Sequence, residues 1–173
     1  MSTYLFADET KARGYVLAGS VHASGDLFAL RAVVRGLVLP GQQRIHMTKE
    51  RDVRKAVIAD ALIAAGVRAT IYDAHTHRRD VDARQACLTA LAVDACRHPD
   101  PVLVLEQDDS VLQHDRRHLY QVTRTVAPGL RYQHARAASE ELLAIPDAIA
   151  WCWAKGGRWR ARIQPTIVDL REV

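Results

Sequence analysis

No apolar run in this 173-residue chain approaches the roughly 20 residues that a helix needs to cross a membrane. Met1 to Glu9 reaches acidic residues too early for a secretion signal, so the chain is expected to stay in the cytoplasm. Cysteine is scarce. Cys87, Cys96 and Cys152 are odd in number, show no metal-ligand spacing and lie among apolar helical neighbours, which predicts reduced thiols in the core. No repeat, low-complexity tract or Pro/Gly/Ser linker divides the sequence, so one domain spanning residues 1–173 is expected. The chain also has no P-loop, no dinucleotide-binding glycine pattern and no nucleophile elbow.

What is present is an ordinary globular composition, nearly half hydrophobic and a quarter charged, with a net charge of +4. A basic surplus favours a polyanionic partner, because Lys and Arg concentrate phosphates through their field, but an excess this modest is weak support.

Hydrophobic periodicity orders the elements. Tyr4 to Glu9 and Gly14 to His22 read as strands, and Phe28 to Leu37 as a third, bounded by Gly25 and Pro40-Gly41. Arg51 to Ala65 reads as a helix, with Val53, Val57, Ile58, Ala61, Leu62 and Ala65 at helical spacing and Gly66 as its stop. Val67 to Tyr72 is a predicted strand and Asp82 to Arg97 a predicted helix. Val102 to Glu106 is a continuous apolar run suited to a strand covered on both faces. Asp115 to Val126 is a third helix. Ser139 to Lys155 is helical with a break at Pro146, and the tail from Arg158 is a short strand or extended segment. Three strands followed by alternating helix and strand is the order of the ribonuclease H-like α/β fold, a mixed β-sheet of about five strands flanked by helices.

In this reading acids collect at strand ends and one helix start. Asp8 and Glu9 close the first strand, Asp73 the strand after the first long helix, and Glu106, Asp108 and Asp109 the apolar strand, while Asp147 opens the last helix. Phosphodiester cleavage by two divalent ions needs such carboxylates from different elements, and Mg²⁺ or Mn²⁺ prefers oxygen ligands. Strand alternation puts Asp8 on one face with Tyr4 and Phe6, and Glu9 on the other, which favours Asp8 as the ligand. Glu106 shares a face with Val102 and Val104, and Asp109 lies in a turn from which it can curl back. The competing explanation is strong for each acid alone: such residues cap turns, and Asp147 in a first helical turn is stabilised by the helix dipole.

His46 and Lys49 precede the long helix. His46 can position a water or shuttle a proton, and Lys49 can meet a phosphate; a plain loop with Thr48 as helix cap explains them about equally well. Asp73-Ala74-His75-Thr76-His77 is a weak metal signal that a polar loop accounts for. Trp151, Trp153 and Trp159 stand near Arg158, Arg160 and Arg162, a mixture that suits stacking on unpaired bases, although a core Trp151 with a basic tail explains it somewhat better. Arg117, Gln121 and Arg124 form a helical stripe that reads as a solvated face.

Asp8-Glu9-Thr10 followed by an apolar strand resembles the Asp-Glu-Ser opening of an uncharacterised bacterial and phage family within the ribonuclease H-like superfamily. His46 ahead of the helix resembles that family's Glu/His-containing loop. Leu142-Leu143-Ala144-Ile145-Pro146-Asp147-Ala148-Ile149-Ala150 resembles its closing helix motif, with Asp147 at the position of the acid. Thr10 stands for Ser, Pro146 for Ala, and the motif's Gln is missing. Trp151-Cys152-Trp153-Ala154-Lys155-Gly156-Gly157 is similar to an actinobacterial subgroup. The resemblance implies a nuclease-like site at Asp8, Glu106 or Asp109, and Asp147.

The expectation is therefore a Mg²⁺- or Mn²⁺-dependent nuclease on RNA or DNA. Asp8, Glu106, Asp109 and Asp147 would hold the ions, His46 would assist, and Lys49, Arg158 and Arg160 would meet the nucleic acid. The rivals are a non-catalytic nucleic-acid- or protein-binding module on the same fold, and an enzyme acting on a small phosphate ester.

Overall fold

The computed structural model describes residues 1–173. The first two strands form as expected. β1 (Thr3–Thr10) and β2 (Val16–Ala23) pair antiparallel, with Tyr4 opposite His22 and Thr10 opposite Val16. Gly14, at φ +87°, makes the turn between them.

The third strand is not where periodicity put it. Phe28 to Leu37 is helical, within α1 (Leu27–Leu37), which buries Leu27, Leu30 and Val34 and leaves Phe28 83% exposed. Spacings of three and seven residues are one helical stripe; a short apolar run rich in valine imitates a strand when the face it buries is unknown. After α2 (Asp52–Ala64), β3 (Ala69–Asp73) supplies the third strand and pairs antiparallel with β2. The stripe of α2 is also rotated from expectation. Ile58, Ala59 and Leu62 are buried, while Val53 and Val57 face outward.

The chain continues through α3 (Asp80–Ala95), β4 (Pro101–Glu106), α4 (Leu112–Thr125) and β5 (Arg131–Ala135). β4 lies parallel to β1, and β5 parallel to β4. α5 (Ala144–Lys155) is unbroken. Pro146 sits in its first turn, where a backbone N–H has no helical partner to lose. The tail expected as a short strand or extended segment from Arg158 begins instead as a helix, α6 (Gly157–Ile163), and ends in the strand β6 (Ile167–Glu172). The sheet thus has six strands, in the order β5-β4-β1-β2-β3-β6, rather than about five. The extra edge strand β5 is short and polar, Arg-Tyr-Gln-His-Ala, so it carries no hydrophobic signal.

Two cores follow from strand alternation. Phe6, Val16, Ala18, Ile71 and Val104 pack under α1, α2, α5 and α6, while Leu5, Leu17, Tyr72, Leu103 and Leu105 pack under α3 and α4. Cys87 and Cys152 are buried, Cys96 partly so, and all three are free. No helix is long and apolar enough to cross a membrane.

His22 is buried on β2, with Nε2 3.0 Å from Ser20 Oγ and its ring 6.0 Å from that of Phe6. Burial pushes its pKa down to about 4, against the pull of Asp26. The unfolded chain therefore binds a proton near pH 6.5 that the fold refuses until about pH 4. This histidine should cost about 3 kcal/mol of stability as pH falls through that window. Urea titrations of wild type and His22→Gln at about pH 7 and 4.5 should show a smaller acid loss in the variant; equal losses would refute it.

Candidate active site

β1 and β4 run parallel, and Ala7 opposite Leu105 is their last paired rung. Asp8 and Glu106 occupy the next step on adjacent strands. Asp8 shares a face with Phe6, and Glu106 with Val104. Their carboxyls meet in side-chain contact at the strand ends, with Asp8 9% exposed. The third acid arrives from α5, which packs across β1 and β2. Asp147 lies in the first turn of that helix but does not cap it. Its Oδ2 accepts the Met47 backbone N–H at 3.0 Å, which ties the loop ahead of α2 to the start of α5. That tie brings His46 next to the acid's backbone partner and puts Asp147 within reach of the charge of Arg44, with no ion pair between them. His46 Nδ1 is buried and has no hydrogen-bond partner.

The charge balance is unfavourable without a counter-charge. Burial, then the neighbouring Glu106, Glu9 and Asp147, hold the Asp8 carboxyl well above the usual carboxylate range. Asp147 is raised too, by burial and by Glu106, against the Met47 N–H, His46 and Arg44. As the side chains stand, no three His, Cys, Asp or Glu groups are gathered closely enough to hold a metal ion. The donor chemistry nonetheless fits a hard cation: carboxylates from three elements, charge in excess, and no thiolate or histidine pair competing.

The other expected residues stand apart from this trio. Asp109 is exposed, accepting from Gln107 Nε2 at 2.7 Å and from Arg136 at 3.0 Å; it does not curl back. The turn after β4 points it outward, and the exposed Arg136 gives it a partner there. Glu9 lies on the opposite sheet face, 2.6 Å from Arg84 Nη1. Asp73 accepts from the backbone and ring of His75, and His77 Nε2 reaches the Val173 carbonyl, so this loop is closed by its own bonds. Arg158 pairs with Asp52 at 2.7 Å. Arg160 donates to the Trp153 carbonyl at 2.9 Å and lies over that ring. Trp151 takes the Lys55 ammonium 4.4 Å from its ring centre, so the aromatics near the tail are largely occupied within the fold.

Two features escape a reading of the sequence. The charge of Arg44 reaches Asp147 together with that of His46, and nothing in its sequence position signals this. Arg84 joins Glu9, Asp115, Tyr15 and His134 in a buried network under α3 and α4. A signal for it exists: an arginine between Ala83 and Cys87 on the apolar stripe of α3 is a charge that burial forces to find partners.

No protein-family model matches the chain, and no curated protein does. Among solved structures, the chain is similar to a ribonuclease HII from Archaeoglobus fulgidus, seen in a complex with PCNA. The TM-score is 0.60 at 15% identity, covering 95% of this chain and 76% of that one. At such low identity the likeness concerns the fold. The mixed sheet flanked by helices is ribonuclease H-like.

Proposed function

We propose that the chain is a divalent-metal-dependent phosphodiesterase acting on nucleic acid, with Asp8, Glu106 and Asp147 as its carboxylates. One observation carries this reading: acids from β1, β4 and α5, at positions 8, 106 and 147, converge at one end of one sheet face. A ribonuclease H-like fold supports it as a scaffold, with the nuclease activity of the archaeal neighbour as analogy.

Asp8, Glu106 and Asp147 would hold Mg²⁺ or Mn²⁺, which when bound supplies a polarised water and offsets charge on the phosphate. The Met47 N–H keeps Asp147 aimed at the other two acids. His46 Nδ1 has no protein partner and is left to hydrogen-bond a water or the substrate. Arg44 and Lys49 have no carboxylate within ion-pair distance, unlike Arg158. With Gln42, Gln43, His46 and Glu50 they line a wholly polar groove of about 270 Å³ that suits a phosphate. Asp109, tied to Arg136, is left out of the set.

A second reading, a non-catalytic module, draws on the trio's being too loosely gathered to hold an ion as it stands. Calorimetric Mn²⁺ titration of wild type, Asp8→Asn and Asp147→Asn separates the two. Stoichiometric binding lost in both variants, with cleavage of RNA or DNA by wild type only, is the expected result. A folded wild type that cleaves neither RNA nor DNA with Mn²⁺ present sinks the enzymatic reading, and cleavage of small phosphate esters alone moves the substrate class.

A further inference from the structure

We infer that the groove between α4 and β5 is a second nucleic-acid contact, which takes a single strand by its phosphates and bases. The inference rests on the nucleic-acid reading above but not on the carboxylate site. Arg116, Arg117 and Tyr120 of α4 and Tyr132, Gln133 and His134 of β5 line about 640 Å³.

Charge is the first reason. Arg131 and Arg136, flanking the groove on β5 and beyond it, are neutralised by Asp100 and Asp109. Arg116 and Arg117 have no such partner; neither makes an ion pair with any carboxylate, and both are exposed. Asp115, next to Arg116 in α4 and bonded to His134 of the lining at 3.1 Å, is buried and already held by two nitrogens of Arg84. The groove is therefore positive with nothing of its own to offset it, which draws a polyanion.

The aromatic faces are the second reason, and they favour a nucleic acid over an acidic peptide. Tyr120 is 56% exposed. Arg124 fixes its orientation, donating to the phenol oxygen at 2.8 Å with the guanidinium 5.2 Å from the ring centre; this takes part of the ring, but unlike the buried Trp153 under Arg160 the rest of it stays open to solvent. Tyr132 stands edge-on to His134, with centroids 6.5 Å apart. Of these rings Tyr120 is the open one, the His134 side chain being buried against Asp115; an exposed ring held beside free arginines is what unpaired bases stack on while phosphates are held alongside. The place also suits it. His134 and Ala135 pair with Leu105 and Glu106, so the groove begins one strand from the carboxylates. It lies on the other face, so a bound strand turns over the end of β4 and β5.

The test is anisotropy of labelled 12-nucleotide RNA and DNA with EDTA present, from about 50 mM salt upward. Arg116→Ala/Arg117→Ala should weaken binding about tenfold or more and reduce the salt slope by about 1.4, the value for two phosphates on a single strand. Tyr120→Ala should weaken it about fivefold or more, and Tyr120→Phe, which keeps the ring, should not. Thermal melts confirm that each variant is folded. Arg131→Ala, whose charge Asp100 already takes up, should bind like wild type. If Asp8→Asn cleaves normally but the double arginine variant still loses affinity, the site assignment fails and the groove stands. Three results overturn the groove: wild type binding neither oligonucleotide, the double arginine variant binding as wild type does, or poly-glutamate binding with the same arginine dependence where oligonucleotides do not.

Discussion

Replacing Asp8 by Asn should abolish cleavage and at the same time make the protein more stable. The two effects have one cause. Asp8 is buried at the end of β1 against Glu106, with Glu9 and Asp147 adding negative charge. Burial and these neighbours raise its pKa in the fold above the unfolded value of 3.8. A carboxylate raised in this way opposes folding at neutral pH, by about 1.4 kcal/mol for every tenfold by which the fold tightens its hold on the proton. That penalty vanishes as pH falls below the unfolded value. Asparagine keeps the size, brings no charge, and offers Glu106 an N–H. In EDTA near neutral pH the variant should therefore melt higher than wild type, with the advantage shrinking as the pH approaches about 4. Cleavage should fall about a thousandfold or more, since the lost group would hold the ion and with it the polarised water. Mn²⁺ should raise the melting temperature of wild type and leave the variant's unchanged. A variant that melts lower in EDTA and still cleaves would show that Asp8 is a structural acid.

Asp8 and Glu106 are legible in the sequence because strand alternation is a local rule. The parity of Tyr4, Phe6 and Asp8, and of Val102, Val104 and Glu106, is set by the chain itself, and it puts both acids on one face once the strands are parallel neighbours. Asp147 is legible as an acid at a helix start and by motif resemblance, but nothing local says that its oxygen reaches Met47. Asp109 shows the limit of proximity in sequence: a turn can curl in or out, and an exposed arginine outside keeps it out. The misplaced third strand has the same origin. Leu27, Leu30 and Val34 make a helical stripe only when something covers it, and that cover, reaching from the segment before α5, lies over a hundred residues away. β5 and its groove are silent for the opposite reason. An edge strand with one polar face needs few apolar residues, so its sequence reads as loop.

Removing the guanidinium of Arg84 should cost about 3–5 kcal/mol, a large share of the roughly 5–15 kcal/mol that holds a domain together. Burial works against the charge of Arg84, but hydrogen bonds to Asp115 and the charges of Glu9 and Asp115 outweigh it and keep the group protonated. Its side chain is 6% exposed and that of Asp115 3%, so water cannot replace either partner. Two bonds of 2.7 Å join them, and Tyr15 accepts a third from Arg84 at 3.1 Å. Arg84→Met nearly fills the volume and leaves Asp115 with His134 alone. Asp115 in wild type resists its own burial through Arg84 and His134, which lower its pKa, so its contribution is present at neutral pH and lost in acid. In Arg84→Met the burial is left largely unopposed. The sign then reverses, and the variant should gain on wild type as the pH falls from neutral, because a protonated Asp115 is tolerated in an apolar site. Arg84→Met/Asp115→Leu should recover part of the loss, with a coupling of about 1–3 kcal/mol between the two positions. Urea titrations of wild type, both single variants and the double variant measure it. An additive double variant would deny the coupling, and Arg84→Met unfolding at the wild-type midpoint would mean that the cores on the two faces of the sheet hold the fold without this network.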